Sequence, residues 1–141
     1  MNTQLKEHTG GCFCGQIRYR ALGEPLWSAN CHCTNCRRFS GAAFSSGVFF
    51  EKSKFEWLQG DLTRFPSSDW GKRGFCSRCG SQLAYEDERL PDYIGVNIGS
   101  LDEPDDFPPQ VHIWTSSKLH WIQLNDGLTE YPQEPPMEGE A

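Results

Sequence analysis

Hydrophobic and polar residues alternate along much of this chain, in short segments that glycine, proline, asparagine and aspartate interrupt. Alternation with a period of two is typical of β-strands with one buried face, and aromatic and β-branched residues favour strands. The pattern predicts a mainly β fold. The nine predicted strands are residues 16–22, 26–30, 44–51, 55–59, 62–65, 82–86, 93–98, 111–115 and 121–124.

One segment has the character of a helix, and it is short. It covers residues 34–40, with Thr34 as the candidate N-cap and Gly41 as the residue that ends it. The pair Gly60-Asp61 separates two predicted strands and favours a hairpin turn. The fold class predicted from the residues is therefore mainly β, with one short helix.

The chain has 141 residues, which is the size of one domain. We predict an N-terminal lead over residues 1–9 and a single domain over residues 10–128. The last segment, residues 129–141, is rich in proline and glutamate and is expected to be a flexible tail. The five tryptophans are expected to lie in the core, since large aromatic side chains anchor small β domains.

The formal net charge is −6, which argues against nucleic acid or an anionic membrane as the main partner. An anionic ligand would therefore need a local basic patch, for which Arg37, Arg38, Lys72 and Arg73 are the candidates. The first residues do not resemble a signal peptide, and no run of about 18 apolar residues would span a membrane. These features predict a cytoplasmic protein.

The seven cysteines are the strongest chemical signal, because they fall into three tight clusters. The clusters are Cys12-x-Cys14, Cys31-His32-Cys33-x-x-Cys36 and Cys76-x-x-Cys79. A disulfide framework fits poorly, since the number is odd and two pairs are too close for relaxed disulfide geometry. Clustered thiolates instead suit a soft tetrahedral ion such as zinc. Seven ligands divide naturally into a closed site of four and an open site of three.

The pair Cys76-x-x-Cys79 needs two further ligands to close a tetrahedron, and Cys12 and Cys14 can supply them. Pairing with Cys31 and Cys33 is also possible from spacing, although it leaves a less local set for the second ion. A redox dithiol would require a strand that leads into a helix, whereas the flanks here are predicted strands. We therefore favour the four-cysteine metal site.

The middle cluster places three thiol ligands, Cys31, Cys33 and Cys36, within six residues, with Cys36 in the first turn of the predicted helix. His32 could be a fourth ligand, but its position between two ligands favours a side chain that points away from the metal. The cluster is either a closed site completed by an unidentified side chain or an open site. An open site would bind an incoming thiol and lower its pKa.

Several motifs stand together in the order found in one known family. They are Gly11-Cys12-x-Cys14-Gly15, Cys31-His32-Cys33-x-x-Cys36-Arg37-Arg38, Ser67-Ser68 ahead of Arg73-x-Phe75-Cys76-x-x-Cys79-Gly80, and Gly99-Ser100-Leu101-Asp102-x-Pro104. In these motifs the sequence resembles the glutathione-dependent formaldehyde-activating family, which also includes the centromere protein V domain. The likeness runs from about Gly10 to Trp121.

The resemblance implies a β-tent of two small antiparallel sheets joined at a zinc ion, with one short helix. It implies a structural zinc on one cysteine set and a second, labile zinc, where glutathione sulfur binds, on the other. The structural set is Cys12, Cys14, Cys76 and Cys79, and the labile set is Cys31, Cys33 and Cys36.

On this basis we expect a zinc-dependent carbon–sulfur lyase that acts on a small thiol–aldehyde adduct, with glutathione or a similar thiol as co-substrate. Cys31, Cys33 and Cys36 would hold the catalytic ion. Arg37, Arg38 or Arg73 could bind substrate carboxylates, or could be surface groups or ion pairs that offset the thiolates. The alternative function is a non-catalytic, zinc-stabilised binding or interaction module.

Overall fold

The computed structural model describes residues 5–135, which form eleven β-strands and one α-helix. The helix, α1, is Thr34–Ser40, as predicted. The strands are β1 Glu7–Gly11, β2 Arg18–Leu22, β3 Trp27–Cys31, β4 Ser45–Glu51, β5 Phe55–Gln59, β6 Thr63–Pro66, β7 Gly71–Phe75, β8 Gln82–Asp87, β9 Tyr93–Asn97, β10 Val111–Ile113 and β11 Thr129–Glu130.

The strands form two sheets. The smaller sheet has the order β1-β2-β5 and is antiparallel. The larger has eight strands in the order β11-β10-β3-β4-β9-β8-β7-β6, and it is antiparallel except that β10 runs parallel to β3 and to β11. The mainly β class with two sheets and one helix is confirmed, but the second sheet is larger and more mixed than two small antiparallel sheets would be.

The core lies where alternate side chains of the two sheets meet. Tyr19 on β2 and Val48 and Phe50 on β4 are fully or almost fully buried, and Leu83 on β8 joins them. Positions two apart on a strand face the same side, which is why alternation predicted these strands. Each large apolar side chain contributes about 1.5–3 kcal/mol when it is fully buried. The hydroxyl of Tyr19 is not left unpaired, since it hydrogen-bonds to Ser100 at 2.6 Å.

Three strands were missed and one was wrongly predicted. Strands β1 and β7 each contain two glycines, which weaken any strand signal, and β11 has only two residues. In β7 the glycines have a packing reason, because a Cβ at Gly74 would collide with the side chain of Leu62. The predicted strand 121–124 forms no strand, and its Trp121 is 70% exposed.

The predicted flexible tail is hydrogen-bonded in its described part. Strand β11 pairs with β10, and the backbone N–H of Tyr131 donates to His112 O at 2.9 Å. The N–H of Trp114 likewise donates to Gln133 O at 3.1 Å. Backbone pairing therefore stabilises this acidic, proline-containing segment as far as residue 135. The rest of the predicted tail, and residues 1–4 of the predicted lead, lie outside the described residues.

The tryptophans are less buried than predicted. Trp57 is half-buried and packs against the core, and Trp27 stacks on Phe49 across the β3–β4 pair. Trp70 and Trp121 are exposed, so the prediction is wrong for these two. Within the described residues, none of the helices has the length and apolar character needed to cross a bilayer.

Candidate metal centre

The four-cysteine cluster joins the two sheets. Cys12 and Cys14 lie in the turn from β1 to β2, and Cys76 and Cys79 lie in the turn from β7 to β8. The Sγ atoms of Cys12 and Cys14 are 3.6 Å apart, and those of Cys14 and Cys76 are 3.8 Å apart. Two sulfurs of a tetrahedral zinc site with bonds of about 2.3 Å lie about 3.8 Å apart. The sulfur geometry therefore fits zinc.

Backbone and hydroxyl groups hold these sulfurs in place. The N–H of Ile17 donates to Cys12 Sγ at 3.2 Å, and Gly15 and Gly80 adopt the positive φ angles of 81° and 82° that each turn requires. The hydroxyl of Ser81 contacts Cys79 Sγ at 3.2 Å and accepts the N–H of Phe13 at 2.9 Å. Hydrogen bonds from the Ser81 side chain and backbone lower the pKa of Cys79 to about 5. The pKa of Cys12 is also lowered, whereas that of Cys14 is raised to about 11, so the four thiols lose their protons unequally in the absence of an ion.

The three-cysteine cluster is local. Cys31 ends β3, Cys36 lies in the first turn of α1, and the three possible ligand atoms lie within 4.8 Å of one another. The sequence suggested Thr34 as the N-cap of α1. The N-cap is instead Cys33, because Cys33 Sγ accepts the N–H of Cys36 at 3.2 Å. A sulfur thus takes the place of the capping oxygen.

The three thiol groups also shift one another's pKa values. Hydrogen bonds from the thiols of Cys31 and Cys36 lower the pKa of Cys33 to about 2, and the same bonding raises the pKa of Cys31. All three side chains are half-buried and none is completely enclosed. The group therefore offers three ligands, at least one of which is readily a thiolate, and it suits an ion with a further, open position.

All seven cysteines are free thiols, and they are grouped as the favoured prediction had them. The turn after Cys79 leads into β8 and not into a helix, so the structure lacks the strand-to-helix context expected of the redox alternative. The clusters have the ligand number and spacing for a metal ion, which is the part of the prediction that the structure supports.

His32, between two of these cysteines, points away from them into the protein. It is fully buried, and its Nε2 lies 3.0 Å from His112 Nδ1. His112 Nε2 in turn lies 2.7 Å from Asp126 Oδ2. This chain of side chains anchors the cysteine-bearing loop on the strand β10 and the segment that follows it. Sequence reasoning missed Asp126, because nothing local indicates a contact with His112.

The predicted arginines occupy different environments. Arg73 is only 5% exposed, and its Nη1 donates to Cys36 Sγ at 3.5 Å. Arg37 and Arg38 lie on α1, half-buried and exposed respectively. Lys72 is exposed, because neighbouring residues of a strand point to opposite faces. The structure therefore brings one arginine into contact with the three-cysteine cluster and places two others on the helix that carries Cys36.

A cleft of about 710 Å³ borders the four-cysteine cluster, where Cys12 lines it, whereas Cys31, Cys33 and Cys36 are not among its lining residues. Cys12 and Ser81 line one side, and Ser45, the strand partner of Cys31, lines the other. Arg18 and Asp102 at its edge form an ion pair with each other at 2.5 Å. The cleft is therefore polar and close to neutral. A smaller hollow of about 310 Å³, near Trp70 and Glu86, is lined by none of the cysteines.

Comparison with known proteins identifies a family. The family model described as glutathione-dependent formaldehyde-activating enzyme matches residues 7–117. A protein of Halomonas elongata named "Putative glutathione-dependent formaldehyde-activating enzyme" is 29% identical over 126 residues, covering 82% of this chain and 79% of that protein. An uncharacterized lyase of Schizosaccharomyces pombe is 28% identical over 111 residues, covering 77% of this chain and 80% of its own length.

A solved structure supports the fold. The crystal structure of a Rhodobacter sphaeroides protein has a TM-score of 0.54 at 20% identity, covering 87% of this chain and 98% of that chain. The family match spans both cysteine clusters and most of the two sheets. The chain belongs to the glutathione-dependent formaldehyde-activating enzyme family.

Proposed function

We propose that this protein is a zinc-dependent carbon–sulfur lyase that acts on the adduct of a small thiol, glutathione or a similar one, with an aldehyde such as formaldehyde. The observation that carries the proposal is the contrast between the clusters. Four cysteines complete one tetrahedron, whereas three half-buried cysteines leave a ligand position for substrate, and the cleft approaches them at Ser45, the strand partner of Cys31. The names of the relatives point to the same chemistry.

In the proposed reaction the carbon–sulfur bond of the adduct breaks and its hydroxyl proton leaves. These two changes leave the aldehyde with its C=O bond and release the sulfur as a thiolate. Addition of the thiol to the aldehyde is the reverse reaction. Zinc, when bound, supplies Lewis acidity that makes a thiolate available at neutral pH. Cys31, Cys33 and Cys36 would hold this ion, and Cys12, Cys14, Cys76 and Cys79 would hold a structural one.

Other residues of the chain would orient the substrate. The hydroxyl of Ser45 accepts Asn97 Nδ2–H at 3.1 Å, which leaves the hydroxyl hydrogen able to donate to an aldehyde oxygen in the cleft. Arg37 and Arg38, on the helix of Cys36, would bind substrate carboxylates by paired hydrogen bonds. We propose the reducing cytoplasm as the compartment, because seven free cysteines suit it.

The direct test is the metal content per chain before and after mild chelation, together with a glutathione titration. We expect two zinc ions, one of which is readily removed, and a thiol-dependent change only while that ion is present. Lyase activity, followed as aldehyde release from the adduct above the uncatalysed rate, should disappear and return with the same ion. One tightly held ion, or two that neither exchange nor respond to thiols, would contradict the proposal.

A second candidate is a non-catalytic interaction module. The observation in its favour is Phe13, which lies between two cysteines of the four-cysteine cluster and is 94% exposed. An exposed aromatic side chain on a rigid turn is a common anchor in protein interfaces. Replacing it, Phe13→Ser, should weaken the binding of a protein partner, and because Phe13 also lines the cleft, the lyase activity of the same variant is measured beside it.

A further inference from the structure

Arg73 is a buried cation whose anionic neighbour is a sulfur. Its Nη1 donates to Cys36 Sγ at 3.5 Å and its Nε donates to Ser67 Oγ at 3.1 Å. The guanidinium lies 4.9 Å from the ring centre of Tyr85 and 5.7 Å from that of Phe39. These contacts enclose the guanidinium on several sides and fix its orientation.

A guanidinium cannot lose its charge in a protein, so burial requires a compensating negative group. Within residues 5–135, Arg73 forms no salt bridge with a carboxylate. Asp87, which is bonded to the Tyr85 hydroxyl, is already paired with Arg89 at 2.8 Å. The charge that balances Arg73 is therefore that of the three-cysteine cluster.

The formal charges show what this arrangement permits. Three thiolates on a dication leave one negative charge, which Arg73 neutralises. A fourth ligand that is itself a thiolate brings the charge of the site to −2, and Arg73 then reduces the total to −1. Cys12 Sγ, in the four-cysteine cluster, accepts instead from a neutral backbone N–H, that of Ile17. A permanent positive charge is thus found beside the cluster that has a ligand position to fill.

We propose that Arg73 is the counter-charge that lets the three-cysteine site accept an anionic fourth ligand, so that a thiolate binds there in preference to a neutral ligand. The inference rests on the proposed function as far as an ion with an open position is concerned, but not on the identity of the aldehyde. Arg73 would be a positioning residue, since it acts through Cys36 and through its charge. Its contacts favour this role over direct binding of a substrate carboxylate.

The test uses full-length protein in which Co²⁺ replaces only the readily exchanged ion, so that its absorption bands report the ligands of the three-cysteine site. It is titrated separately with glutathione, which binds as a thiolate after releasing its proton, and with imidazole, which binds neutral. For Arg73→Gln we expect about tenfold weaker binding of glutathione and a change of less than about threefold for imidazole. Lys72→Gln removes a positive charge from the exposed face of the same strand and should change neither affinity.

Arg73→Lys retains the charge and provides a second measurement if Arg73→Gln does not fold. It should keep the wild-type ratio of glutathione affinity to imidazole affinity. Equal weakening of both ligands in Arg73→Gln would overturn the inference, since only packing would then have been lost, and so would a fall in the glutathione-to-imidazole affinity ratio in Arg73→Lys, which keeps the charge. Wild-type protein that binds imidazole but not glutathione would overturn both this inference and the proposed function, whereas an unchanged Arg73→Gln would overturn the inference alone.

Discussion

The four-cysteine and three-cysteine clusters differ first in the parts of the chain that each connects. Cys14 and Cys76 are 62 residues apart, and their turns belong to different sheets. Cys31 and Cys36 lie five positions apart, at the end of one strand and the start of the following helix. An ion in the first cluster would close a long loop, while an ion in the second would close almost none.

This difference indicates how one chain can use the same ligand for structure and for chemistry. Closing a long loop constrains the unfolded chain, and the free energy of metal binding is then also free energy of folding. A local cluster contributes little to holding distant segments together. Its ion can therefore exchange, or change its ligands, without unfolding the protein.

The electrostatic environments of the two clusters also favour a structural role for the four-cysteine cluster and a reactive role for the three-cysteine cluster. Cys12 and Cys76 are buried within the core cluster, and Cys12 Sγ accepts a backbone N–H. The three-cysteine cluster is half-buried and is bordered by a buried arginine and by the His32–His112 pair. The first environment suits permanent coordination, and the second suits coordination that changes during a reaction.

The largest predicted effect is the difference in folding stability between Cys76→Ser and Cys36→Ser. Structural zinc contributes on the order of 10 kcal/mol to small domains, which is comparable to the whole stability of a typical domain. We therefore expect Cys76→Ser not to fold, whereas Cys36→Ser should remain folded with one zinc ion per chain. Circular dichroism melting curves and metal analysis of both variants provide the measurement.

Each of these variants replaces one sulfur by oxygen, so each is the matched control of the other. If Cys76→Ser melted at the wild-type temperature, the four-cysteine cluster would not be the structural site. If Cys36→Ser failed to fold, the three-cysteine cluster would also be structural, and the comparison between the clusters would no longer hold.

The sequence predicted those features that depend on local spacing. Strands β4 and β5 were found because their apolar residues alternate, and the helix was found with its correct range, although its N-cap is Cys33 and not Thr34. The grouping of the cysteines followed from ligand number and short spacing. These features are readable because period-two burial and neighbouring thiols leave a direct trace in the order of the residues.

Features that depend on distant contacts could not be read in the same way. Strand β7 has little strand propensity of its own, and it forms because it is paired on both sides, with β6 and with β8. The contact of His112 with Asp126, and the burial of Arg73 against Cys36, follow from the packing of elements that are far apart in the chain. An ion pair that offsets the thiolates was one of the roles considered for the three arginines, but the sequence did not indicate which arginine contacts which sulfur.

A smaller effect is expected from breaking the chain of side chains behind the three-cysteine cluster. His112→Leu would leave the buried ring of His32 without its hydrogen-bond partner, which costs about 1–3 kcal/mol. Groups that orient metal ligands from behind also affect metal binding, so we expect roughly tenfold weaker affinity at this cluster. Chemical unfolding and competition with a chromophoric chelator measure the two effects.

Asp126→Asn is the matched control, because its amide can still contact His112 and Asp126 lies at the exposed end of the chain of contacts. It should lower the free energy of unfolding by less than His112→Leu does, since solvent screens an exposed carboxylate. The four-cysteine cluster should keep its metal in both variants. A loss of metal from both clusters in His112→Leu would indicate general destabilisation and not a specific connection to Cys31 and Cys33.

The smallest effect concerns the ion pair at the edge of the cleft. The guanidinium of Arg18 and the hydroxyl of Thr9 hold the pKa of Asp102 below its usual value. A lowered pKa means that the carboxylate stabilises the folded state above the unfolded-state pKa of about 3.9, and that this stability disappears as the pH falls through the lower folded-state value. Because Asp102 is 42% exposed, solvent screening limits the contribution to about 0.2–1 kcal/mol.

Asp102→Asn should therefore be slightly less stable than the wild type between pH 5 and pH 7, with a constant difference that narrows only in stronger acid. Urea unfolding of both proteins at several pH values measures this difference. The zinc content of both clusters should not change, since neither Arg18 nor Asp102 donates to a sulfur. A large, pH-independent loss of stability, accompanied by loss of metal, would instead mean that this edge of the cleft holds the four-cysteine cluster together. The four-cysteine cluster would then depend on the cleft for its stability, and the two clusters would be less independent of each other than their geometry indicates.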